Sequence, residues 1–178
     1  MANPRWPQLG FRLFRSGAPG LDDFHPGANP EVPTAVRRWA AGEGPWCVLA
    51  WGAAETGKTH LLQAACNTAS ERGAAAMYVP LREVASLGPA VLEDLADFDA
   101  LCLDDLEAVT ADRAWNEALF GLYNRFHGEG RRLLLAADAA PRELKACLPD
   151  LASRLASALV YHLLPLSLIH SSEPTRPE

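Results

Sequence analysis

The chain has 178 residues, 49% of them apolar, which suits one domain with a single sizeable core and is too many for a disordered chain. Its formal net charge is −6, and no basic block is longer than a pair such as Arg131–Arg132. That balance argues against a protein that binds nucleic acid alone through a basic face, because phosphate neutralisation supplies most non-specific affinity. Protein and nucleotide partners are expected instead, with any DNA contact indirect.

The termini and thiols narrow the class further. Met1 to Phe14 holds no continuous apolar stretch, so no secretory signal is predicted. No segment approaches the roughly 20 apolar residues that span a bilayer, and a cytoplasmic location is expected. Cys47, Cys66, Cys102 and Cys147 each sit among apolar residues, and none forms a CxxC pair. That is the pattern of buried reduced thiols rather than of a disulfide frame or a zinc site.

Residues 1–20 are rich in proline, arginine and glycine and read as an extended leader. Trp46 to Trp51 is a short apolar run ending in glycine, which predicts a buried strand. Lys58 to Arg72 carries Leu61, Leu62, Ala65 and Ala69 at helical spacing, with Gly73 as a stop. Ala76 to Leu81 predicts a second strand, Ala90 to Ala96 a helix, and Ala100 to Asp104 a third strand. Asp112 opens a long helix with Trp115, Leu119, Leu122, Tyr123 and Phe126 on one face; Gly128 and Gly130 end it. Leu133 to Ala137 is a fourth strand. Helical pieces at Arg142 to Ala146 and Leu151 to Leu155 precede a last strand, Ala158 to Leu163. Short apolar strands alternating with amphipathic helices predict an α/β fold with a mostly parallel five-stranded sheet. Leu168 to Glu178 has two prolines and no period, and reads as a non-native tail.

One segment carries chemistry. Gly52-Ala53-Ala54-Glu55-Thr56-Gly57-Lys58-Thr59 fits G-x-x-x-x-G-K-[ST] at every fixed position, with a strand before it and a helix after it. Glycines at Gly52 and Gly57 let backbone N–H groups close around phosphates, and the helix N-terminus adds partial positive charge. Lys58 is expected to reach the β- and γ-phosphates and Thr59 to ligate Mg2+. The apolar run Leu101-Cys102-Leu103 ends in Asp104 and Asp105. Asp104 is the second anchor for the metal, and Asp105 stands where a base that orients water belongs. His60 is assigned to packing or local hydrogen bonding.

From about Leu21 to Ser167 the chain resembles the AAA+ ATPases of the DnaA clade. The segment from Asp23 to Asn29 resembles the one that leads into the adenine pocket, which implicates Phe24. Met77 to Leu81, Leu119 to Arg125 and Leu133 to Leu144 are similar to the strand after the first helix, the helix after the metal acids, and the strand that senses the γ-phosphate. The last of these makes Asp138 the sensor. Leu148 to Leu155 resembles the box that holds an arginine finger, here Arg154, and is closer to the regulatory members of the clade than to the initiator. Gln8, Leu9, Phe11 and Leu13 are similar to the short motif by which such regulators dock on the DNA polymerase sliding clamp, inserting apolar side chains into a groove while the glutamine sets register.

The resemblance implies bound ADP or ATP with Mg2+, and a regulatory adaptor. Held on the DNA-loaded clamp, it would stimulate ATP hydrolysis by the replication initiator DnaA and so prevent re-initiation. A stand-alone ATPase, DnaA-like or helicase-loader-like, stays open as the alternative, as does a chain inactive without its lid. Members of the clade continue into a helical lid after the last strand. Here the resemblance stops at about Ser167, and the lid is expected to be absent.

Overall fold

A computed structural model describes residues 20–27, 29–145 and 147–165. In chain order the elements are α1 (Val32–Ala40), β1 (Cys47–Trp51), α2 (Lys58–Glu71), β2 (Ala76–Pro80), α3 (Leu81–Val84), α4 (Val91–Asp94), β3 (Ala100–Asp104), α5 (Arg113–Glu129), β4 (Arg132–Ala137), α6 (Pro149–Ala156) and β5 (Leu159–His162). The five strands form one parallel sheet in the order β2-β3-β4-β1-β5. Parallel strands need crossovers, and these helices supply them on both faces.

Alternation along each strand sorts the core into two halves. Leu49, Leu101, Leu103, Leu133 and Leu135 face α5 and α6 and pack with Leu119, Leu122, Phe126, Leu151 and Leu155. Val48, Ala50, Ala100, Cys102 and Ala136 face the other way, against Ala64, Ala65 and Ala69 of α2 and Val36 and Trp39 of α1. Small residues on both sides of that second interface let α2 lie close over the sheet centre. By the same alternation Asp104, two residues beyond Cys102, points toward α2.

The fold agrees with the α/β reading, and four local expectations are corrected. No element was assigned between Leu21 and Trp46, yet α1 forms there. Pro33 falls in its first turn, where the missing N–H is harmless, and Val32, Val36, Trp39 and Ala40 are buried. The helix expected over Ala90 to Ala96 is the single turn α4, because Leu92 and Leu95 are already buried and the chain must reach β3 at Ala100. The piece near Arg142 is only a 3-10 turn, Pro141–Glu143. Cys147 lies outside any helix or strand and is half-buried, while Cys47, Cys66 and Cys102 are buried as expected. Burial pushes the Cys47 thiol up to about 12.

Among the described residues, no helix is long and apolar enough to cross a membrane. The expected tail from Leu168 onward lies outside the described residues.

Candidate functional site

β1 is flanked by β4 and β5, and the chain leaves its C-terminal end toward β2 at the far edge of the sheet. In open α/β sheets this is the place where ligands bind. The loop from Gly52 to Gly57 springs from that end. Gly52 N–H donates to Ala137 O at 3.1 Å, and Leu163 N–H donates to Trp51 O at 2.8 Å, so both neighbouring strands grip its start. A Cβ on Gly52 would stand 2.3 Å from the Leu163 carbonyl oxygen, so only glycine fits.

The loop then turns on two left-handed residues, Glu55 (φ 63°) and Gly57 (φ 88°), and α2 begins at once. Such a conformation is strained at Glu55 and free at Gly57. Phe24 packs against the underside: its Cε2 would lie 3.2 Å from a Cβ on Gly57. Its ring meets His60 edge-on at 6.0 Å, and His60 Nε2 is 3.3 Å from Gly20 O, which agrees with a packing role for that histidine.

Lys58 Nζ donates to Gly52 O and Ala53 O, both at 2.6 Å, and to Thr56 Oγ1 at 3.4 Å. Its contacts are neutral oxygens, and no ion pair claims it among the described residues. An ammonium held only by neutral loop oxygens at a helix N-terminus is suited to an anion. Across the sheet Thr59 Oγ1 donates to Asp104 Oδ2 at 2.6 Å. These residues fit a nucleotide phosphate chain with a divalent cation: a loop whose first position admits only glycine, an ammonium with no ion pair among the described residues, and a hydroxyl–carboxylate oxygen pair suited to a hard metal. Among the described residues no cluster of three His, Cys, Asp or Glu could hold a metal ion.

Asp104 is 1% exposed and hydrogen-bonded through both oxygens. Its Oδ1 accepts the Asp105 backbone N–H at 2.9 Å, and its Oδ2 accepts the Tyr78 hydroxyl at 2.8 Å beside that of Thr59. Asp105, half-buried, takes a left-handed φ of 57° directly after the strand. Burial first, and the Asp104 charge second, hold its carboxyl above the ordinary carboxylate range; Arg82 and Lys58 partly offset this. Arg82 Nε stands 3.8 Å from Asp105 Oδ2, and Arg82 Nη2 donates to Glu107 Oε1 at 3.3 Å. Glu107 Oε2 in turn accepts the Asp138 N–H at 3.1 Å, tying the exit of β3 to that of β4. The Glu107 carboxyl is raised, chiefly by burial.

The structure therefore gathers Gly52, Gly57, Lys58, Thr59, Phe24, Asp104, Asp105 and Asp138 at the C-terminal ends of β1, β3 and β4. Arg154 is placed otherwise. It sits exposed on α6 with its guanidinium 5.9 Å from the Phe120 ring centroid, and no hydrogen bond or ion pair joins its guanidinium to the loop or the acids. Gln8, Leu9, Phe11 and Leu13 lie outside the described residues.

Sequence reasoning missed Tyr78, Arg82, Glu107 and Asn116. Asn116 is fully buried; its Nδ2 donates to Thr110 O and Asp112 O, and its Oδ1 accepts the Leu148 N–H at the cap of α6 at 3.0 Å. Nothing local marks any of the four.

Comparison with known proteins gives a consistent result. The model of the bacterial DnaA ATPase domain matches residues 20–162. The replication initiator DnaA, solved with AMPPCP and single-stranded DNA, is 26% identical with a TM-score of 0.72, over 81% of this chain and 49% of that one. The chain thus spans about half the length of that DnaA. A Neisseria meningitidis protein solved in solution is 30% identical with a TM-score of 0.53, over 85% of this chain and 94% of that one. The DnaC helicase loader, at 16% identity and TM-score 0.63 over 82% of this chain and 96% of that one, shares the fold.

Proposed function

Because this chain belongs to the bacterial DnaA ATPase-domain family, we propose that it is a regulatory nucleotide-bound adaptor of the Hda type, which stimulates ATP hydrolysis by DnaA through Arg154. The initiator would then pass to its ADP form, preventing a second initiation.

Phosphates would be held by the N–H groups from Gly52 to Gly57 and by Lys58, which would exchange two carbonyl contacts for phosphate oxygens. Thr59 and Asp104 would hold Mg2+, which when bound supplies charge to neutralise the phosphates. Phe24 braces the loop that meets the nucleotide, and Asp138 stands at the exit of β4 as the sensor.

The observation that carries this reading is the state of Arg154. An arginine finger acts on phosphates in a neighbouring molecule, so it must be exposed, unpaired and preorganised. Arg154 is exposed, has no carboxylate partner among the described residues, and is steadied over Phe120. Asn116 holds the cap of its helix from the buried side. A finger is worth about 10³–10⁵ in rate, or about 4–7 kcal/mol of barrier. Docking on the sliding clamp through Gln8, Leu9, Phe11 and Leu13 would bring the arginine to the initiator on DNA.

One observation favours a second reading, a stand-alone ATPase of the DnaA or helicase-loader kind. Lys58, Thr59, Asp104 and Asp105 are all in place, and the Asp105 carboxyl, raised chiefly by burial, is a stronger base than an ordinary carboxylate. Phosphate release from ATP by DnaA, with clamp on DNA and this chain added, separates the two. Arg154→Ala is expected to abolish the stimulation while fluorescent-nucleotide binding by the chain itself stays unchanged. Stimulation retained in that variant, or turnover by the chain alone that Lys58→Ala removes, would favour the second reading instead.

A further inference from the structure

Asp104 is a buried carboxylate that no cation pairs with among the described residues. A charge in that position must be satisfied by hydrogen bonds or by a metal. Its three donors are Thr59 on α2, its own successor Asp105, and Tyr78 on the edge strand β2. The first two follow from the phosphate-loop architecture. Tyr78 is an addition that requires a particular strand register.

Tyr78 pairs with Cys102 across the β2–β3 ladder, and Pro80 pairs with Asp104. Asp104 is therefore the diagonal neighbour of Tyr78 on the same face, two residues further along. A diagonal neighbour is within reach of an aromatic side chain and beyond that of serine or threonine. The ring spans the gap and the hydroxyl donates to Oδ2 at 2.8 Å, the same oxygen that Thr59 meets at 2.6 Å. Two O–H donors converging on one carboxylate oxygen leave Asp104 little freedom to rotate.

We propose that Tyr78 is a positioning residue for the magnesium site: its hydroxyl locks the Asp104 carboxylate against Thr59 and thereby sets the Mg2+ requirement for tight nucleotide binding. The inference rests on the reading of this loop as a magnesium–nucleotide site. Groups that orient metal-binding carboxylates commonly contribute about 10–100-fold to metal affinity.

The test is a Mg2+ titration of fluorescent ATP binding to the full chain, with an EDTA baseline, for wild type, Tyr78→Phe and Tyr78→Met. The ring of Tyr78→Phe keeps its packing and loses only the donor. Its Mg2+ midpoint is expected to rise about 10-fold or more while binding in EDTA stays within about twofold of wild type. Tyr78→Met, which fills a similar volume without reaching Asp104, should show the same midpoint shift. Midpoints within about twofold of wild type in both variants would reduce Tyr78 to a packing residue and overturn the inference, even if melting temperatures fell. Wild type that binds nucleotide with no Mg2+ dependence, or binds none, would instead overturn the site reading beneath it.

Discussion

Gly52→Ala adds one methyl group at the most constrained point of the phosphate loop. The new Cβ would lie 2.3 Å from Leu163 O, 3.3 Å from Leu163 C and 3.2 Å from Thr56 Oγ1. The worst of these contacts is with backbone, and that backbone is held: Leu163 N–H is bonded to Trp51 O at 2.8 Å. Relief requires β5 to part from β1 or the loop to lift off the sheet. Overpacking of this kind costs about 1–3 kcal/mol, and at about 2–4 °C per kcal/mol for a chain of this size the melting temperature should fall by about 2–12 °C. Nucleotide affinity should fall as well, because the first turn of the cradle has moved. The matched control is Gly121→Ala in the interior of α5, where an added Cβ meets nothing within 4 Å. There the same methyl group should stabilise by about 0.5–1 kcal/mol. Thermal unfolding by circular dichroism and fluorescent-ATP titration read both variants. Melting and binding like wild type by Gly52→Ala would show that glycine is not obligatory at this position.

Two further outcomes concern the acids and the arginine helix, beside those already stated for Arg154 and Tyr78. The raised Asp105 carboxyl binds a proton in the folded chain that the unfolded chain releases, so its contribution to stability falls as pH rises from the ordinary carboxylate range through the raised value. Asp105→Asn, which tolerates the left-handed backbone there, should therefore melt above wild type at pH 7, with the difference shrinking as pH falls; a lower melting point at pH 7 would refute this. Asn116→Ala removes three hydrogen bonds and leaves the Leu148 N–H unpaired, for an expected loss of about 2–4 kcal/mol in urea unfolding. It should also weaken stimulation of DnaA hydrolysis, and full stimulation by a destabilised Asn116→Ala would show that α6 needs no such tether.

What could be read from the sequence was what is contiguous in it. The phosphate loop is eight consecutive residues whose strand and helix are their immediate neighbours, so Gly52, Gly57, Lys58 and Thr59 declare themselves. Asp104 and Asp105 are legible because they end an apolar strand of the right length. The alternation of strands and helices likewise announced a parallel sheet. α1 escaped notice because Pro33 looks like a breaker until its place in the first turn is known. Arg154 is singled out only by resemblance, since an isolated arginine on a short helix has no local signature.

Tertiary structure alone decided the rest. Tyr78 reaches Asp104 because β2 pairs with β3 in one register, and a slip of one residue would turn its ring to the other face. Arg82 and Glu107 matter because the exits of β2, β3 and β4 converge, and Asn116 because α5 and α6 meet at a buried cap. Local pattern records which face of an element is apolar; it does not record the partner across the gap. Hydrogen bonds between elements depend on register and helix placement, and those are fixed by packing over the whole core.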